Sequence, residues 1–270
     1  MKDLIQFTKM EGLGNDYVYV DTAKFPISDP GTLSKRISDR HFGIGSDGLI
    51  LIEPSSVADF RMRIFNADGS EATMCGNGAR CIGKYVYDKG LTSKTEILLE
   101  TGGGVRKLIL HPGPDGLISE VTVDMGTFTV DHSVTEVEAS GLSFKGTSVN
   151  VGNPHYVTFM EAGRLDDIAV FGHELECHPA FPGRSNIEFA SVIAPGLIRM
   201  RVWERGSAIT MACGTGACAT AVAAVLNKLV PDECTVRMDG GDLKVRIDKS
   251  ECRMYMTGPA TTVFEGTINT

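Results

Sequence analysis

Apolar and polar residues alternate from the start of the chain. Leu4, Gln6 and Thr8 interleave with Ile5 and Phe7, the period-two pattern of a half-buried strand. A glycine-marked turn (Gly12, Leu13, Gly14, Asn15) leads to a second strand over residues 17–20. Residues 34–40 read as a short helix and 41–48 as a glycine-rich loop. Residues 49–53 and 59–65 read as strands bounded by Pro54 and serines. The pattern then changes period: 79–89 is a helix that stops at Gly90. Strands are expected at 95–100, 105–110, 121–125 and, near the end, 263–268. A second helix over 217–229 (ACATAVAAVLNKL) is apolar nearly all round, which suits a helix enclosed by a sheet.

Two of these stretches are copies. Residues 61–79 (RMRIFNADGSEATMCGNGA) overlie residues 199–217 (RMRVWERGSAITMACGTGA) without a gap, at an offset of 138 positions (213 − 75). The same offset pairs Gly14 with Gly152, Asn15 with Asn153, Tyr17 with His155, Gly48 with Asn186, and Gly102-Gly103 with Gly240-Gly241. It slips only at 111–116, a turn longer than its partner at 248–251. The tail over 263–268 has no counterpart. Short strands alternating around one buried helix per half give an α+β class, with a sheet curled round a helix twice over.

A length of 270 residues accommodates two such halves, and a hydrophobic content of 42% supports packed cores. The net charge of −8 argues against nucleic acid or an anionic membrane as partner. No apolar run reaches the roughly 18 residues of a membrane span. The N-terminal residues lack a signal-peptide pattern. Seven cysteines occur without a C-x-x-C pair, so zinc-ribbon and thioredoxin readings lose their support, and free thiols in a reducing cytosol are expected.

The repeated cysteines, Cys75 and Cys213, stand just before glycine-rich helix starts (Gly76-Asn77-Gly78 and Gly214-Thr215-Gly216). Unpaired N–H groups and the positive helix end favour thiolate there, so both thiols are expected to titrate towards neutrality. The same N–H groups suit a carboxylate. Equivalent thiols in two copies of one fold are expected to face each other across a pseudo-two-fold axis. One would then remove an α-proton while the other supplies a proton to the opposite face. Cys81, Cys177, Cys218, Cys234 and Cys252 read as small buried hydrophobes. His155 and Glu204 are candidates for adjusting thiol protonation, and Arg205 offers a planar fork for a second carboxylate. Asn15, Asn66, Asn77, Asn153 and Asn186 lie in or beside the repeated loops. Asn66 aligns with Glu204 and Asn186 with Gly48, so the halves have diverged as an asymmetric ligand would require.

The motifs GLGNDY (12–17), RHFGIGSDG (40–48), FNADGSEATMCGNGARC (65–81), GNPHYV (152–157), SNIEF (185–189), VWERG (202–206) and ACGTGAC (212–218) run the length of the chain. In this order they closely resemble the diaminopimelate epimerases, pyridoxal-phosphate-independent isomerases of lysine and peptidoglycan precursor synthesis. The resemblance implies two lobes, each a curled, mostly antiparallel sheet around a central helix: residues 1–117 with 261–270 carrying Cys75, and 118–260 carrying Cys213. It implies that Cys75 and Cys213 are the acid/base pair, tuned by His155 and Glu204. It assigns the α-carboxylate to Gly76, Asn77, Gly214 and Thr215, and further substrate contacts to Asn15, Asn66, Asn153, Asn186, Glu204 and Arg205. Neither a metal nor a cofactor is expected, and a cytoplasmic homodimer is. Gly48, where some members carry glutamine, is left unassigned. Proline racemases and hydroxyproline epimerases are the alternative, resembling the chain less because their first motif typically has histidine at the position of Asn77. A dithiol redox protein and a non-catalytic amino-acid-binding module are further readings.

Overall fold

The computed structural model describes residues 4–133 and 135–269. The chain divides into two compact units, Met1–Val123 with Gly258–Thr270, and Asp124–Thr257. No helix among the described residues is long and apolar enough to cross a membrane.

In the first unit the strands Leu4–Gly12 and Asn15–Asp21 form a hairpin, with Gly12 opposite Asn15. Its two-residue turn needs positive φ at both positions, found at Leu13 (61°) and Gly14 (83°). Asn15–Asp21 then pairs in parallel with Gly48–Glu53, which runs antiparallel to Phe60–Asn66. Helix α1 (Pro30–Ser38) crosses over between the parallel pair, capped by Asp29 and carrying proline in its first turn. Leu33 and Ile37 on its inner face join Ile5, Phe7, Val18, Val20, Leu49, Leu51 and Phe65 in one core. Helix α2 (Gly76–Asp88) is the central helix. The terminal strand Thr261–Asn269 lies antiparallel on Leu4–Gly12, with Ile268 opposite Ile5.

The second unit repeats this plan in register. Pro154–Phe159 pairs in parallel with Asn186–Ala194, placing His155 opposite Asn186 as Tyr17 stands opposite Gly48. Helix α3 (Ile168–Glu176) occupies the crossover, and α4 (Gly214–Leu226) is the central helix. Every residue of α4 except Thr215 and Leu226 is buried, as its apolar circumference requires. Tyr156, Ile187 and Phe189 pack with Leu165, Ile168 and Leu175 in this unit's core.

The mixed α+β architecture expected from the pattern is present, with three differences. Both central helices start three residues earlier than the apolar pattern suggests, at Gly76 and Gly214, because the cysteines themselves are the caps and weak helix formers fill the first turn. The first short helix lies at Pro30–Ser38 rather than 34–40, since proline suits its opening turn. Helix α3, its copy 138 positions on, carried no signal strong enough to read.

Gly48 has a packing explanation. A Cβ there would lie 2.1 Å from the carbonyl oxygen of Phe65 on the neighbouring strand, so this backbone admits no side chain. Gly48→Ala is expected to cost about 1–3 kcal/mol in urea unfolding. Gly163→Ala, where a Cβ would meet nothing within 4 Å, should stay within about 0.5 kcal/mol of wild type. Equal effects would reject the packing account.

Candidate active site

Each repeated cysteine is the N-cap of its central helix. Cys75 has an extended backbone (φ −138°, ψ 118°), and its Sγ accepts the Gly78 N–H at 3.4 Å. Cys213 matches it (φ −126°, ψ 110°), with Sγ accepting the Gly216 N–H at 3.3 Å. An N-cap side chain normally uses oxygen for this bond. Here sulfur takes the place, so each thiol lies at the positive end of its helix. Gly76, Asn77, Gly214 and Thr215 open the two helices, where N–H groups have no intrahelical partner.

In the first unit Asn15 holds the thiol. Its Oδ1 accepts from Cys75 Sγ and from Asn77 Nδ2, each at 3.3 Å, while its Nδ2 donates to Asp47 at 2.8 Å. Asn77 is fixed from behind by Arg80, whose Nη1 donates to Asn77 Oδ1 at 3.0 Å and whose Nε reaches the Pro259 carbonyl. Arg80 is wholly buried. Gly12 makes room for it, since a Cβ there would lie 2.9 Å from the guanidinium. Asn66 ends its strand half-buried, its amide donating to Ser70 Oγ at 3.0 Å.

The second unit places a different set around its thiol. Thr215 Oγ1 lies 3.4 Å from Cys213 Sγ. His155 is buried, with Nδ1 at 2.6 Å from Glu188 Oε1 and Nε2 at 3.1 Å from Asn153 Oδ1. Glu204 accepts from the Thr210 hydroxyl. Asn186 braces the loop beyond: its Nδ2 donates to the Pro154 carbonyl and its Oδ1 accepts the Arg205 N–H, both at 2.9 Å. Glu176 of α3 holds the same loop through Trp203 Nε1 (2.8 Å) and the Gly206 N–H (3.3 Å). The exposed Arg205 guanidinium reaches the Gly183 carbonyl at 2.9 Å. His173, Glu176 and Cys177 bring ligand atoms within 4.8 Å of one another, but both Glu176 oxygens are already engaged.

A family model for diaminopimelate epimerase matches residues 7–130 and 147–263. A diaminopimelate epimerase of Phocaeicola vulgatus is 53% identical, the match covering 99% of each chain. The chain belongs to the diaminopimelate epimerase family. Among solved structures, a phenazine biosynthesis protein of the PhzF family from Bacillus anthracis superposes with a TM-score of 0.73 at 15% identity, covering 99% of this chain and 100% of that one. A hydroxyproline epimerase from Agrobacterium vitis gives 0.71 at 16%, covering 100% and 94%. At that identity these two show a shared fold and nothing more.

Within this diaminopimelate epimerase framework two expectations need correction. Burial pushes the Cys213 thiol well above its ordinary range, reinforced by the charges of Glu204 and Glu188. The bonds from Thr215 and Gly216 pull the other way and lose, so the helix start does not make this sulfur a resting thiolate. Cys177 and Cys252 are exposed, not buried, because both lie at the ends of elements. Glu188 was missed altogether. The available signal was a charged residue inside the strand-like run NIEFA, where a buried carboxylate needs a partner.

The raised thiol has a pH signature. In ligand-free protein, alkylation of Cys213 by iodoacetamide should gain rate only at pH values above those at which a cysteine in an unstructured model peptide reacts. Peptide mapping across about pH 6–10 measures this through the pH of half-maximal rate. A Cys213 profile coincident with that of the model peptide would show that burial and the two carboxylates do not hold the proton on Cys213.

Proposed function

We propose that the protein interconverts LL- and meso-2,6-diaminopimelate by a two-base inversion without a cofactor, with Cys75 and Cys213 as acid and base. The observation that carries this is the duplicated sulfur cap, one thiol at the same place on each central helix. The 53% identity to a named diaminopimelate epimerase over nearly the whole chain supports the choice of substrate.

One cysteine, as thiolate, takes the α-proton; its S–H bond forms as the C–H bond breaks. The electron pair left on carbon spreads into the substrate carboxylate. There the first-turn N–H groups of Gly76, Asn77, Gly214 and Thr215 meet the growing charge. The other cysteine gives its proton to the opposite face, which inverts the centre and leaves the two sulfurs with exchanged protonation. His155 and Glu204 tune the protonation of the sulfurs. Arg205, with Glu204, Asn66 and Asn153, reads the distal amino-acid end. Asn15 and Asn186 have their amide groups committed to Cys75, Asn77, Asp47, Pro154 and Arg205. They serve the substrate chiefly by fixing those groups.

In deuterated water, early product should carry deuterium at the inverted carbon while recovered substrate carries little. Equal early labelling of both would point to one base and sink the mechanism. Cys75→Ala and Cys213→Ala should each abolish epimerisation, since every turnover uses both. Arg205→Lys keeps the charge but loses the fork, so KM should rise about tenfold or more, as losing one charge-assisted hydrogen bond costs roughly 1.5–3 kcal/mol. An unchanged KM, or efficient racemisation of proline by wild type, would favour the proline racemase-like reading instead.

The cytoplasm is the compartment that suits seven free thiols. A homodimer through the terminal strand would cover Val263 and Phe264, which are 54% and 45% exposed. Val263→Glu should then lower the mass seen by sedimentation equilibrium. A monomeric wild type, or a variant dimer of unchanged strength, removes this assembly.

A further inference from the structure

We infer that Glu188 is a positioning residue for the proposed inversion: held by His155 and packed where Gly216 lacks a side chain, it makes Cys213 the sulfur that carries the proton at rest. This rests on the two-base reading above. Glu188 and its ion-pair partner are both fully enclosed, with 0% side-chain exposure. Its Oε1 accepts from His155 Nδ1 at 2.6 Å, while Oε2 is buried without a hydrogen-bond partner among the described residues. A Cβ built on Gly216 would lie 2.9 Å from Glu188 Oε1 and 3.3 Å from Cys213 Sγ, so carboxylate and thiol flank the same missing methyl.

The first unit supplies the comparison. The residue 138 positions before Glu188 is Ile50, and the residue before His155 is Tyr17. A Cβ on Gly78 would meet Ile50 Cδ1 at 2.6 Å where one on Gly216 meets a carboxylate. The same glycine in the same turn therefore faces a methyl group beside Cys75 and an acid beside Cys213. A carboxylate with an unfilled acceptor opposes a second negative charge on the neighbouring sulfur. His155 keeps that carboxylate affordable in the interior by sharing its charge. The groups that face Cys213 are Glu188 and Glu204 from two strands, and the Thr215 hydroxyl and Gly216 N–H from its own helix. Glu188 in turn faces His155 and Glu204. Burial drives the Glu188 carboxyl above its usual range while His155 draws it back.

The test follows alkylation of each cysteine by iodoacetamide against pH, alongside epimerisation. Glu188→Gln keeps the shape and removes the charge. It should make Cys213 react about tenfold faster near pH 8, a shift of roughly one pH unit in its profile, with the Cys75 profile unmoved. Its kcat should fall more than its KM changes, with a displaced pH optimum. Glu188→Asp withdraws the charge by one methylene, should shift the profile less and in the same direction, and serves alone if the glutamine variant does not fold. Superimposable Cys213 profiles in folded variants would overturn the inference. A wild type that fails to epimerise diaminopimelate would instead overturn the parent reading, which the alkylation measurement does not depend on.

Discussion

A sulfur atom used as a helix cap is the constraint from which most of the local structure follows. The bond from the third residue's N–H to Sγ requires an extended cysteine backbone and a tight first turn. It also brings that third residue hard against the strand beneath. Glycine lets it lie that close: a Cβ would come within 2.6 Å of Ile50 Cδ1 in one half and 2.9 Å of Glu188 Oε1 in the other, so that side chain would have to move aside. The strands Gly48–Glu53 and Asn186–Ala194 are in turn held by parallel pairing to the strands that bring Tyr17 and His155. Loops that look irregular in isolation are thus set by two short parallel ladders and two caps.

The duplication made much of this legible. An offset that holds from Asn15 to Gly103 marks both thiols, the divergent positions and the halves in the sequence itself. Helix starts were harder to see. Gly-Asn-Gly and Gly-Thr-Gly are poor helix formers, and their helicity comes from the cap and from enclosure by the sheet. Glu188 escaped for a related reason. Its significance depends on the register of Pro154–Phe159 against Asn186–Ala194, a pairing across about thirty residues that no local pattern encodes. The buried Arg80 behind Asn77 was equally invisible, since its guanidinium finds partners as distant in sequence as Pro259.

The electrostatics of the second thiol show how two true statements can oppose each other. A helix start does favour an anion, and two donors do reach Cys213 Sγ. The helix effect is worth about 0.3–1 kcal/mol, up to ~2 in partly buried geometries. Loss of water around a small charged sulfur costs more, and two acids in the same neighbourhood add to it. Whether a capping cysteine is an anion is therefore decided by what surrounds the cap.

The glycine that faces Ile50 in one half and Glu188 in the other bears on how such a chain can have arisen. A precursor made of two identical halves would carry either two acids or none beside its sulfurs. With two, both sulfurs would resist ionisation and neither would begin as a base. With none, nothing built into the protein would distinguish them. Either ancestor would depend on its ligand to break the tie. On the proposed asymmetry, Glu188 in place of Ile50, together with Glu204 in place of Asn66, would move that decision from the ligand to the polypeptide, and the halves would no longer be interchangeable.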